Sequence, residues 1–211
     1  MLGFLEEGAG LREPFQAGRI QLSTRSRAPL AERSRRWLMQ PMLDTERLHL
    51  RPPRADDLDA LHAWRSDPSV VRFVGGRTLD REEAWQRLLR AAGHWSLFGH
   101  GLFMVEEKAG GAVIGEVGLF YGRRGLGPDF DAAPEIGWIL SAAAQGRGYA
   151  TEAALAAQGW FAATQGDRRC VCMIDPAHDA SFRVAAKLGY KRYRSADYQG
   201  GCVTLLENLP A

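Results

Sequence analysis

The residues of this chain whose types and spacing could do chemistry centre on Gln145-Gly146-Arg147-Gly148-Tyr149-Ala150. Before it, Glu135-Ile136-Gly137-Trp138-Ile139-Leu140 is rich in the β-branched and aromatic residues of a strand. After it, Thr151 to Thr164 is dominated by alanine and other helix formers. A strand, a glycine turn and a helix in that order can cradle a phosphate. Gly146 and Gly148 let the backbone approach a ligand with no Cβ in the way, and the unpaired N–H groups of the first helical turn converge on one anion. With the positive end of the helix dipole they suit a pyrophosphate. The pattern alone is also that of an ordinary strand-to-helix turn. It is neither a Walker loop, since no Gly-Lys-Ser or Gly-Lys-Thr follows, nor a dinucleotide fingerprint, since the third glycine is missing. The carboxylates within reach by topology are Glu135, which starts the preceding strand, and Glu116, between Gly115 and Val117 in the neighbouring one. The alternative reading of each is a solvated strand-end residue.

The elements that must position these residues follow from Leu43 onward. Arg47 to Arg51 alternates polar and apolar residues as a half-buried strand, closed by Pro52 and Pro53. Asp56 opens a helix that ends at Asp67-Pro68, and a second amphipathic helix runs from about Asp80 to Phe98 with Ala84, Leu88, Ala91 and Trp95 on one face. Leu102 to Glu107 and Ala112 to Tyr121 read as a hairpin around a two-residue turn at Gly110-Gly111. Residues 122 to 134 read as a loop. After the glycine cradle and its helix come a strand from Cys170 to Asp175 and a helix from Ala180 stopped by Gly189. Two strands, Tyr190 to Arg194 and Cys202 to Leu206, flank a turn at Gly200-Gly201. Trp64, Trp85, Trp95 and Trp160 sit at helical core positions.

A length of 211 residues with 45% hydrophobic composition fits one globular domain, and a net charge of +2 implies no nucleic-acid partner. No apolar run is long enough to span a bilayer and no signal-peptide pattern opens the chain, so a cytoplasmic location without a membrane partner is the expectation. Cys170, Cys172 and Cys202 form no Cys-x-x-Cys pair and read as reduced core thiols. The histidines His49, His62, His94 and His100 have no metal-ligand spacing, so no metal is assigned. Residues 1-41 are arginine-rich, serine-dotted and without periodicity, and read as a poorly ordered extension to a domain spanning 42-211.

Gln145, Gly148 and Ala150 stand at the fixed positions of a Gln/Arg-x-x-Gly-x-Gly/Ala motif, and the stretch resembles the signature of the GNAT superfamily of acetyl-CoA-dependent N-acyltransferases. Two further stretches support the resemblance. Asp44 to Arg51 is similar to the opening strand of the branch that includes ribosomal-protein N-terminal acetyltransferases. Asp175-Pro176-Ala177-His178-Asp179-Ala180-Ser181 through Tyr190 is similar to its second motif. The resemblance covers about residues 43 to 206. It implies an α/β fold, a single domain with a mixed central sheet of about seven strands flanked by helices, and two parallel strands splayed at the cofactor site.

It also implies acetyl-CoA as co-substrate, bound by Gln145, Gly146, Arg147, Gly148, Tyr149 and Ala150, with His178 and Ser181 beside the pantetheine arm. The partners are then acetyl-CoA and an amine acceptor, and a homodimer is compatible with the family. The resemblance places the N–H of Ile139 or Leu140 at the developing oxyanion and Ser181 near the thioester sulfur. A primary amine attacking a thioester must first lose its proton, and Glu135 or, second, Glu116 is the carboxylate expected to assist. Arg147 either pairs with a phosphate or sits on a solvated turn, and Tyr149 packs. Two departures stand out: His178 replaces the usual asparagine, and Ala185 occupies the position of a tyrosine general acid, which leaves Ser181 as the candidate acid. The resulting expectation is acetyl transfer to a primary amine, of a protein N-terminus or a small molecule, by direct attack. The alternative is a non-catalytic acyl-CoA-binding sensor on the same fold.

Overall fold

A computed structural model describes residues 41–210. The extension expected over residues 1-41 lies, but for Pro41, outside the described residues. The strands are β1 (Leu43–Asp44), β2 (Leu48–Arg51), β3 (Leu102–Glu107), β4 (Val113–Phe120), β5 (Glu135–Leu140), β6 (Cys170–Ile174), β7 (Lys191–Tyr198) and β8 (Gly201–Asn208). The α-helices are α1 (Leu58–Arg65), α2 (Pro68–Val71), α3 (Arg81–Phe98), α4 (Pro128–Asp131), α5 (Tyr149–Gln165) and α6 (Asp179–Lys187). All eight strands form one sheet in the order β1-β2-β3-β4-β5-β6-β8-β7, and β5–β6 is the parallel pair. The strand beyond the seven expected is β1, whose two residues pair antiparallel with β2.

Helices cover both faces. α3 starts where the Asp80 side chain accepts the Glu83 N–H at 2.8 Å while Glu83 accepts the Asp80 N–H at 3.0 Å, a reciprocal cap. It stops at Gly99, whose φ of 71° is open to glycine without strain. Its expected apolar face, Ala84, Leu88, Ala91 and Trp95, is buried. With Leu61, Trp64 and Met104, Leu88 encloses Ile139 on one side of the sheet. On the other side Ile136 and Leu140 pack in a cluster with Ala153, Ala157 and Phe161 of α5. Strand alternation therefore sends neighbouring residues of β5 into two different cores.

Several boundaries differ from the sequence expectation. The β3–β4 connection is not a two-residue turn at Gly110-Gly111. Glu107 N–H donates to Ala112 at 2.9 Å, enclosing Lys108 to Gly111. Of the two glycines only Gly111, at φ 68°, is left-handed, whereas a two-residue type I′ turn needs both. That tight turn occurs instead between β7 and β8, one residue earlier than expected: Gln199 (φ 52°) and Gly200 (φ 81°) make it, and Gly201 pairs with Tyr198. Residues 122 to 134 are not wholly loop, since α4 lies within them. Cys170 and Cys172 are buried free thiols, but Cys202 is exposed rather than in the core. Trp64 and Trp95 are buried, whereas Trp85 and Trp160 are only partly so. No helix of the described residues is long and apolar enough to cross a membrane.

Candidate active site

The parallel pair opens almost as soon as it forms. β5 and β6 are in register only at Glu135 and Val171. On the other side β5 pairs with β4 throughout, Gly115 opposite Leu140 and Glu116 opposite Ile139, and Ser141 N–H continues the ladder to the Ile114 carbonyl at 2.8 Å. Because antiparallel partners alternate between bonded and unbonded, the N–H groups of Gly137 and Ile139 point into β4, and those of Trp138 and Leu140 point into the gap towards β6. Of the two donors expected near an oxyanion, Ile139 is thus committed to the sheet and Leu140 faces the gap. Trp138 joins Leu140 there. The Leu140 carbonyl accepts Gln145 Nε2 at 3.1 Å, so the first residue of the glycine motif spans one end of the opening.

The glycine loop follows. Gly146 and Gly148 have φ of 75° and 82°, and Gly148 is the left-handed N-cap of α5. Among the described residues the N–H groups of 146 to 151 donate to no protein acceptor, the first helical bond being Glu152 N–H to Gly148 at 3.1 Å. Six consecutive free donors at a helix start fit the oxygens of a pyrophosphate. The loop is braced from behind. Arg47 donates to the Arg147 carbonyl at 2.9 Å and to Glu152 at 2.7 Å, and Arg147 pairs with Glu107 at 2.8 Å. Tyr149 is buried as expected, its hydroxyl donating to the same Glu107 and its ring lying 4.5 and 4.6 Å from the guanidiniums of Arg47 and Arg147. Ala150 is half-buried against the α5 core.

Across the gap, α6 brings up Ser181, which is buried and accepts the Trp138 indole N–H at 3.2 Å. An indole only donates, so the serine's own proton remains available to a further acceptor. Trp138 is a site residue that the sequence reading missed. Its signal was the alternation of β5, which sets Trp138 with Ile136 and Leu140 on the side facing α6. His178 precedes α6 and stacks on Phe73, ring centroids 4.4 Å apart, so the stack joins the α2 and α6 sides of the cleft. Burial pushes the His178 imidazole down from its ordinary value. Ala185 is fully buried and does not line the cleft.

Neither candidate carboxylate is a solvated strand end. Glu116 and Glu135 are 1% and 3% exposed. Glu116 Oε1 accepts from Arg65 and from Arg87, the latter at 2.6 Å, while Oε2 is buried without a partner. Burial pushes this carboxyl up, but Arg87 and Arg65 outweigh it and hold it at about 2. Glu135 is gripped by both arms of Arg124, Nε at 2.6 Å and Nη2 at 2.7 Å. Here burial prevails over Arg124 and lifts the carboxyl above its usual value. Glu116 lies opposite Ile139 and Glu135 four residues further along β5, which sets their Cα atoms roughly 14 Å apart. Both point to the α3 side, with Gly137 between them carrying no side chain.

These parts line one cleft of about 1480 Å³, room for two substrates rather than one. A sheet opened beside a row of free helix-start N–H groups, with polar groups converging at the opening, is the architecture of an acyl-CoA-dependent transferase. The comparisons agree. Residues 47–191 match the Acetyltransferase (GNAT) domain, and the chain belongs to that family. It is similar to a GnaT-family acetyltransferase structure from Bordetella pertussis, at 32% identity and a TM-score of 0.73, covering 80% of this chain and 99% of that one. It is also 26% identical over 150 residues to the Uncharacterized N-acetyltransferase YnaD of Bacillus subtilis (strain 168), 71% of this chain and 82% of that protein. At the level of fold alone it resembles RimL, a ribosomal L7/L12 alpha-N-protein acetyltransferase, in complex with coenzyme A. That likeness has 16% identity and a TM-score of 0.66 over 81% of this chain and 98% of RimL. The family uses acetyl-CoA, and the free N–H row and the β5–β6 gap fit it.

Proposed function

We propose that the protein is an N-acetyltransferase that passes an acetyl group from acetyl-CoA directly to a primary amine, without a covalent enzyme intermediate. The observation that carries this is the combination, in one cleft, of six free N–H donors with a β5–β6 gap that ends at Ser181 and Glu135. The bound thioester supplies the acetyl group. Gly146 to Ala150 would hold the pyrophosphate, and His178 would line the path of the pantetheine arm. The N–H of Leu140 or Trp138 would receive the developing negative charge, being unpaired and fixed in the sheet. Ser181, its oxygen already engaged by Trp138, would donate its proton to the departing thiolate.

For the base, the geometry favours Glu135. A carboxylate held at about 2 by two guanidiniums is a poor proton acceptor, and that is Glu116. Glu135 has the higher proton affinity, and it acts on the amine through water, since both its oxygens rest on Arg124. The acceptor is the amine of a protein N-terminus or of a small molecule, and the setting is cytoplasmic, with no nucleic-acid or membrane partner.

The test is thiol release. The protein is incubated with acetyl-CoA and a panel of amine peptides and metabolites, and acetylated products are identified by mass spectrometry. Thermal stabilisation by acetyl-CoA without thiol release would replace the proposal with a non-catalytic sensor. In the Gly148→Val protein the positive φ strains any β-branched side chain, and a Cβ would add bulk 3.4 Å from Arg47. Acetyl-CoA affinity by calorimetry should fall steeply, and unchanged affinity in a folded variant would refute the cradle.

A further inference from the structure

One wall of the cleft is built by the polar face of α3, and on the acyl-transfer reading it faces the acceptor. Glu83, Gln86, Arg87 and Arg90 line the cleft at helical spacing, with the buried apolar face turned away from it. Most acids on this wall are engaged: Glu83 by Arg77 at 2.6 Å and by its capping bond, Glu116 by Arg65 and Arg87, and Glu135 by Arg124, which leaves the exposed Glu82 in the first turn of α3 without an ion pair among the described residues. Arg65, Arg87, Arg90 and Arg124 gather about the two buried carboxylates Glu116 and Glu135, with Asp131 beside Glu135 and with Glu82 and Glu83 nearer the start of α3. Arg90 has no ion pair or hydrogen bond among the described residues, and its electrostatic neighbours are Arg87, Glu116, Arg124 and Tyr198. Like charges one helical turn apart repel, and Glu116 bonds Arg87 but not Arg90, so Arg90 is the less compensated of the two. Arg65 Nε, in the same cluster, is buried without a partner.

Tyr198 completes the arrangement. Its oxygen accepts Arg124 Nη1 at 3.1 Å and Gln199 Nε2 at 3.2 Å, so its hydroxyl proton must be given elsewhere, and the residue lines the cleft. From these placements we infer that Arg90, the free arm of Arg87 and the Tyr198 hydroxyl form an anion subsite, and that the acceptor is an amine bearing a carboxylate or a phosphate. Guanidiniums suit either group by their fork of N–H donors. The same wall disfavours polycationic amines. This inference rests on the acyl-transfer reading, but the subsite can be tested apart from it.

Two measurements on the full chain decide it. The first titrates inorganic phosphate calorimetrically in saturating CoA, which fills the glycine loop, using the parent, Arg90→Leu, Arg90→Lys and Tyr198→Phe. Phosphate should bind the parent, weaken about 10- to 100-fold in Arg90→Leu, and recover in part in Arg90→Lys, as loss of a charged hydrogen bond requires. Arg90 is exposed and outside both cores, so its variants should fold. Unchanged binding in Arg90→Leu and Tyr198→Phe would overturn the subsite. The second compares kcat/KM for matched amines: an amino acid against its amide, an aminoalkyl phosphate against its alcohol, and a polyamine. The parent should prefer an anionic member, the favoured pair telling carboxylate from phosphate, and Arg90→Leu should erase that preference while neutral amines keep their rate. Equal use of charged and neutral amines by an active parent would refute the substrate class while leaving acyl transfer standing. Arg90-dependent phosphate binding in a protein that transfers nothing would uphold the anion site and refute the transferase reading.

Discussion

Removing the Glu116 carboxylate should unfold the protein more readily than it slows it. Glu116→Gln leaves Arg65, itself buried, and Arg87 facing one another with no negative charge between them. Stripping one partner from a buried ion pair costs about 3–5 kcal/mol. The titration behaviour gives a second route to the figure. The carboxyl is held at about 2 against an ordinary 4.5, and that depression is worth about 3 kcal/mol of stability at neutral pH. The sign follows from the direction. A depressed folded-state value contributes fully above 4.5 and is lost as pH falls towards 2. For a domain of this size the loss lowers Tm by about 6–20 °C. Circular-dichroism melts of parent and Glu116→Gln from pH 7 to pH 3 should therefore show a gap in Tm that narrows on acidification. Replacing Arg65 and Glu116 together by methionine should recover most of the loss, because Arg87 can turn to solvent. A gap absent at pH 7, or constant with pH, would refute the assignment of a structural ion cluster.

Glu135→Gln should destabilise less than Glu116→Gln, because burial already lifts the Glu135 carboxyl, and it should lower kcat by about 10²–10⁴, the usual weight of a general base. The deficit should shrink as pH rises towards the amine's own pKa, and a profile parallel to the parent's would remove Glu135 from the role. Gly122→Ala tests the same group without deleting it: a Cβ there would lie 2.3 Å from Glu135 Oε2, so kcat should fall although every catalytic side chain is kept. Ser181→Ala should cost less than Glu135→Gln, since a CoA thiolate leaves readily, and Trp138→Phe should reproduce part of that loss by deleting the 3.2 Å bond; equal or larger effects in kcat would reverse the roles. His100 is buried among Phe98, Tyr121 and Phe161, which pushes its imidazole from 6.5 down to about 4. Its neutral form is favoured by folding, so its contribution is lost as pH falls from 6.5 through 4, and His100→Leu should flatten stability over that window in urea titrations.

The elements that rest on periodicity and capping were legible from sequence. The helix beginning at Asp80, its buried face of Ala84, Leu88, Ala91 and Trp95, and the strand Glu135 to Leu140 all stand within a residue of their expected bounds. So did the glycine cradle, because positive φ and a following helix leave a local trace in residue types. What was not legible depends on pairing across the fold. Which of Ile139 and Leu140 offers a free N–H is decided by the register of β4, and no local pattern encodes it. Trp138 was hidden for a related reason: its partner Ser181 lies 43 residues on and meets it only because β5 and α6 pack together. The two glycine turns went wrong because a Gly-Gly pair does not say which of its members is left-handed. The arginines that neutralise Glu116 and Glu135 come from α1, α3 and the segment before α4, so the burial of both carboxylates was invisible while they were read as strand ends.

That burial separates two residues the sequence could not rank. Both are glutamates on facing strands of one cleft, and both meet arginine, yet the outcomes differ in sign. On Glu116, three N–H groups from two arginines converge on one oxygen, so ionisation is strongly favoured and the proton is unwelcome. On Glu135 a single arginine serves both oxygens, and burial wins. Environments that push two like groups apart in proton affinity mark a division of labour. A carboxylate held ionised suits a structural ion cluster, and one lifted by burial suits the proton transfer proposed for Glu135. The position of each agrees with its tendency. Glu135 stands where β5 and β6 begin to part, whereas Glu116 stands opposite Ile139 further along the sheet, where it holds Arg65 and Arg87 together.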